Sequence, residues 1–193
     1  MSNCPTREQA LALLNLYTKS DSLLRHALGV EQVMLKMAGK YKGNSNEWAL
    51  TGLLHDFDYE KYPSAEEHPF KGNVILKEKG YPETICSAIM AHAAYTRIPR
   101  DTLLAKALFA VDELTGFIFA VTYVRPSKSI LDLKPKSVKK KLKQRSFAAG
   151  VSRQDIYLGA EELELDLTDH IQFVIEALQD KAEELGLYGN PTD

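Results

Sequence analysis

Apolar side chains recur at helical spacing along almost the whole chain. From Thr6 to about Thr18, the residues Ala10, Leu11, Leu13, Leu14 and Tyr17 follow an i, i+3, i+4, i+7 pattern. A second helix, capped by Asp21 or Ser22, gathers Leu24, Ala27, Leu28, Met34 and Met37 on one broad face. Gly43 breaks the chain, and Asn44 with Glu47 forms a capping-box signature for a third helix running through Leu53 and Leu54 into His55. Ser64 with Glu67 repeats that signature for a helix that Gly80 ends, and Pro82 suits the first turn of the next, which runs to about Ala94. Asp101 then caps a segment from Leu103 to Tyr123 whose centre, ALFAVDELTGFIFAV, is apolar nearly all round, so this helix is expected to be the most buried. Two further helices are expected over about 152–164 and 168–186. No stretch alternates with period two for long enough to build a sheet, and the predicted class is all-α.

Composition adds little beyond exclusions. The 193 residues fit a single domain, with 45% hydrophobic and 26% charged side chains as in ordinary globular proteins. Two cysteines, Cys4 and Cys86, make no secreted-type disulfide framework and fit a reducing compartment. No apolar run approaches the ~20 residues that cross a bilayer. The N-terminus MSNCPTREQALALL lacks the pattern of a signal peptide, so a cytoplasmic location and no membrane partner are expected.

Charge is balanced overall, at −2, but not along the chain. Between Arg125 and Arg145 nine basic side chains accompany one acid, Asp132, and the segments after residue 152 are acidic. These faces either stay solvated and pair with one another or form a basic rim that attracts an anionic substrate. Phe147 is the only aromatic residue near the lysines, so no stacking platform for nucleic acid is evident.

The candidate chemistry lies in the histidines. Of His26, His55, His68, His92 and His170, four fall in predicted helices that otherwise face a core; His170, among Asp166 and Asp169, reads as surface. Asp112 interrupts the most apolar stretch, followed at once by Glu113. A buried aspartate is costly unless paired or bound to metal. Imidazoles and carboxylates from separate helices offset that cost by sharing a cation, which is how helical bundles build metal sites.

The order His26, His55-Asp56, Asp112 in a small helical chain resembles the HD superfamily of metal-dependent phosphohydrolases, and the flanks LLHDFDYE and AEEHPFKGNVIL are similar to its HDIG-type branch. The resemblance implies an HD-type bundle with a metal-binding core over about 20–125, on which 126–193 packs. It implies His26, His55, Asp56 and Asp112 as metal ligands. On a helix His55 and Asp56 lie ~100° apart, so both reach a cation between them. Two nitrogens and two oxygens without sulfur suit Mn, Fe, Co, Ni, Mg or Zn, and four protein ligands leave open positions for water and substrate. In two-metal members the later histidines hold a second ion and the HD aspartate bridges; by resemblance His68, in the HPxxG-like EEHPFKG, and His92 take that role. In a one-metal site they would instead orient phosphate.

A metal pair ~3.5–4 Å apart would activate water and clamp phosphoryl oxygens, with Asp56 as catalytic bridge. Asp58 or Glu60 is then the candidate acid for the leaving group, and Lys71, Arg125 and Lys128 are the candidate phosphate cations. No GYP motif follows His92, which argues against cyclic-dinucleotide hydrolysis, and the chain is too short for the extra domains of the large triphosphohydrolases. The expected function is hydrolysis of a small phosphoester, a nucleotide or phosphomonoester. A mixed-valent diiron oxygenase and a non-catalytic metal-binding regulatory module are the alternatives, and the oligomeric state is open.

Overall fold

The computed structural model describes residues 4–190, and among them every regular element is helical, with no strand. The chain divides into two compact units, one ending at Phe109 and the other beginning at Ala110, so the boundary falls inside a single long helix.

The first unit opens with α1 (Arg7–Tyr17), where Thr6 and Gln9 form a reciprocal capping box. Helix α2 (Asp21–Tyr41) starts after Ser20, one residue before the expected cap, because the Glu60 carboxylate accepts from the Lys19 and Ser20 amides at 2.7 and 3.0 Å and supplies the cap from a distance in sequence. Those two hydrogen bonds hold the Glu60 carboxyl below its ordinary pKa range. Lys42 then turns the chain left-handed, and Asn44 caps α3 (Ser45–Leu54) by accepting from the Glu47 amide at 3.1 Å. Trp48 is buried beside Tyr41, ring centroids 6.2 Å apart, over Gly43, where a Cβ would stand 2.4 Å from the indole nitrogen.

Helices α2 and α3 are the principal pair of this unit. Gly52 lets them approach: a Cβ there would lie 2.8 Å from the Val30 carbonyl oxygen, far inside ordinary contact. Helix α4 (Phe70–Glu78) begins five residues later than the Ser64 signature predicts. Pro69 explains the delay, since it lacks an N–H and disfavours helical backbone in the residue before it. Ser64 still meets Glu67, at 3.5 Å, but as part of a turn. Gly80, at φ 81°, ends α4 as expected. Helix α5 (Glu83–His92) packs on α3 and α4 and passes into a 3₁₀ turn, Ala94–Thr96.

Helix α6 (Leu103–Tyr123) has the bounds the apolar pattern predicts, although Thr102 rather than Asp101 supplies a hydroxyl, accepting from the Ala105 amide at 3.2 Å. In the second unit, α7 (Pro135–Leu142), α8 (Arg153–Glu162) and α9 (Leu167–Gln179) follow, with α7 and α8 both packed on α9. Gly159 presses α8 onto Ala110, whose Cα would be 2.5 Å from an added Cβ. The last expected helix stops at Gln179 instead of 186, because the chain tightens into i→i+3 turns at Lys181 and Ala182. It then returns along the segment after α6, with the Ile130 amide donating to Leu187 O at 2.8 Å and the Asn190 amide to Ser127 O at 2.7 Å. His170 is buried, not superficial as its acidic neighbours suggest: it sits on the apolar face of α9 with Ile171 and Val174 and hydrogen-bonds the Ala110 carbonyl at 2.9 Å.

Candidate metal centre

Four histidines and an aspartate of the first unit converge. His55 and Asp56 do not lie on the helix proper; α3 ends at Leu54 and the pair occupies the turn that follows. His55 is fully buried, and its Nδ1 meets the Gly52 carbonyl oxygen at 2.8 Å. A carbonyl only accepts, so Nδ1 carries the proton and the Nε2 lone pair points away from the helix. His92 at the end of α5 repeats the device, with Nδ1 donating to Ile89 O at 2.5 Å. Both use a carbonyl of the preceding turn, one of those a helix end leaves without an intrahelical partner.

His68 is anchored differently. It lies in the turn before α4, buried, with Nδ1 2.8 Å from Asp58 Oδ1. The other Asp58 oxygen accepts from the Gly72 amide at 2.8 Å. A Cβ on Gly72 would stand 2.7 Å from Asp58 Cγ, so only glycine at this position lets the carboxyl sit against the backbone. This corrects the role expected for Asp58. It is 1% exposed and both its oxygens are engaged, so it orients His68 and does not face a leaving group. Glu60 is occupied as the cap of α2.

The Nε2 atoms turned inward meet at Asp56. Oδ1 lies 3.2 Å from His68 Nε2 and 3.2 Å from His92 Nε2, while Oδ2 lies 3.5 Å from His55 Nε2. His26, half-buried on α2, brings its Nε2 to 3.2 Å from that of His55. The imidazoles form a continuous edge-to-face series, His26 to His55 to His92 to His68, with centroids 5.1–5.4 Å apart. Asp56, its side chain 24% exposed, and His26 reach solvent, whereas His55, His68 and His92 are buried.

Burial alone would raise the Asp56 pKa, but the charge of His55 and the hydrogen bonds from His68 and His92 outweigh it and hold the carboxyl well below the usual range. Burial would likewise lower His68, yet its bonds to Asp56 and Asp58 push it up to about 9. The two shifts express one contact from its two ends.

This donor set fits divalent cations. Ring nitrogens are fixed in orientation by partners on their far nitrogens, the usual arrangement behind metal-bound histidine. Asp56, His68 and His92 place one ligand atom each within 4.8 Å of one another.

The remaining candidates lie on other elements. Asp112 is half-buried on α6, in the second unit. Lys71 is exposed in the first turn of α4, next to Gly72. Arg125 pairs with Asp132 at 2.6 Å and also donates to the Asp132 carbonyl at 3.2 Å, so the guanidinium offered to phosphate by the sequence is engaged in closing its own turn. Lys128 is exposed at φ 49°. Sequence reasoning missed Gly52, Gly72 and the orienting role of Asp58. The signals for the last two were the i+2 spacing after the HD pair and the glycine of the HPxxG segment.

Searches of curated proteins and of solved structures found no match for this chain. Among family models, that of the HD domain matches residues 23–116, a segment that holds every ligand candidate from His26 to Asp112. That match supports membership of the HD-domain superfamily.

Proposed function

We propose that this protein is a metal-dependent phosphohydrolase that cleaves a small phosphoester, a nucleotide or phosphomonoester. The observation that carries the reading is the position of Asp56, one carboxylate oxygen facing His55 and the other facing His68 and His92. So placed, Asp56 would share with all three imidazoles in holding metal. The superfamily is generally one of metal-dependent phosphohydrolases, which supports the same class. His26, His55 and Asp56 would hold one ion, with Asp112 assigned to it from the H…HD…D order alone; Asp56, His68 and His92 would hold the other.

Divalent metals supply Lewis acidity that activates water and polarises phosphoryl oxygen. Asp56, 24% exposed, accepts a hydrogen bond from the attacking water and orients it. A bond forms between that water oxygen and phosphorus, the ester P–O bond breaks, and the departing alcohol oxygen takes the proton the water gives up. Lys71 is the cation this reading keeps for phosphate, as a mobile point charge beside His68.

Elemental analysis of untagged protein, paired with hydrolysis of an aryl phosphate after Mn or Ni reloading, tests the proposal. About two metals per chain with phosphatase activity is the expected result for a paired site. Asp56→Ala loses both metal and turnover, and His68→Ala lowers the content from about two to about one. Two irons with oxygen uptake and no phosphatase activity would replace the hydrolase with an oxygenase. No metal after reloading would overturn the site.

A further inference from the structure

The surface around His68 carries an apolar feature that neither metal binding nor phosphate binding explains. Among the described residues of the first unit, three aromatic side chains are substantially exposed, Tyr59 at 41%, Phe70 at 40% and Tyr95 at 50%. Two of them contact the same histidine, and the third is near it in sequence. Tyr59 packs its ring edge-to-face on the His68 imidazole, centroids 5.3 Å apart at 83°. Tyr95 donates its hydroxyl to the His68 carbonyl at 2.8 Å. Phe70 follows two residues later in the chain.

Exposed aromatic residues scattered singly need no explanation, but a group of them beside a polar site marks ligand contact. Of the other aromatics of this unit, Trp48, Phe57, Tyr81 and Phe109 are buried and Tyr17, Tyr41 and Tyr62 are half-buried. Both tyrosines are also held in place. Thr96 pins the 3₁₀ turn that carries Tyr95 by donating to the Met90 and Ala93 carbonyls at 2.9 Å, and Tyr59 follows Asp58, whose carboxyl is locked on His68 and Gly72. Rigid aromatic rings offer contact area at little cost in conformational entropy, and they pack best against flat groups.

We infer that Tyr59 and Tyr95 form the specificity element of this site and select a phosphoester whose organic part is a planar aromatic ring, seated beside His68 while the phosphoryl group meets Asp56. This rests on the hydrolase reading above for its reaction but not for its binding. The rings touch the organic part of the substrate, and Tyr95 additionally steadies the backbone of His68.

The test is titration calorimetry of the metal-loaded full chain with phenylphosphonate and ethylphosphonate, neither of which can be hydrolysed as an ester. Phenylphosphonate is expected to bind about tenfold tighter. Tyr59→Leu and Tyr95→Leu are each expected to cut that ratio by about two- to fivefold with metal content unchanged, while Tyr95→Phe, which keeps the ring, retains it. Equal affinity for the two phosphonates, binding of neither, or a ratio that survives both leucine variants would overturn the inference. Failure of the hydrolase reading shows itself separately, as tight phenylphosphonate binding by a protein that does not cleave phenyl phosphate.

Discussion

His55 and His92 are oriented by their own helices, each donating to a carbonyl three residues back, whereas His68 is oriented across the chain by the Asp58 carboxyl, itself seated on the Gly72 amide. The first arrangement is local: it forms whenever α3 and α5 form, and it turns each Nε2 toward the cluster. The second depends on a loop, a buried acid and a glycine brought together by folding. It also brings His68 between two carboxylates, which is why its pKa rises to about 9. One half of the cluster is therefore built by secondary structure and the other by tertiary packing, and the two halves should fail differently.

The largest break in that contrast is Asp58→Ala, which orphans the buried Gly72 N–H and the His68 Nδ1 together. Thermal denaturation should show a loss of about 3 kcal/mol, with metal content falling toward one ion because His55 keeps its own anchor. Gly72→Ala comes next: its Cβ must displace Asp58, at a cost of about 1–3 kcal/mol, and the metal loss should resemble that of His68→Ala. The smallest effect is one of pH. Because His68 is raised above its ordinary 6.5, its proton stabilises the metal-free fold fully below about 6.5, and that contribution fades as the pH rises through about 9. Metal uptake runs the opposite way, since the ion must displace that proton; affinity of the His68 half should weaken about tenfold per pH unit below about 9, and competitive chelator titrations would measure it. Equal pH dependence in wild type and His68→Ala would erase the distinction.

Much of this was legible in the chain. The apolar stretch gave α6 its bounds, Thr6 and Asn44 marked helix starts, and the histidine order pointed to the cluster before any coordinates. What escaped was whatever depends on partners distant in sequence. Ser64 and Glu67 spell a helix start, yet Pro69 overrides them. Asp58 reads as a free carboxyl because the Gly72 amide that holds it lies fourteen residues on. Helix α7 was hidden by its lysines, although Val138 and Leu142, both buried, keep the i, i+4 spacing beneath them. His170 was judged by its acidic neighbours when the apolar residues one and four places on described its face better. Arg125 reads in the sequence as a cation for phosphate, and the fold pairs it with Asp132.

Trp48 is the chain's single tryptophan, buried near the start of the helix that His55 terminates and stacked against Tyr41 at the end of α2. Its indole emission therefore reports one place only, the seam between α2 and α3 that Gly52 draws tight. Fluorescence from this protein, with no label attached, would follow the opening of the scaffold under His26 and His55 separately from events in the second unit, which contains no tryptophan.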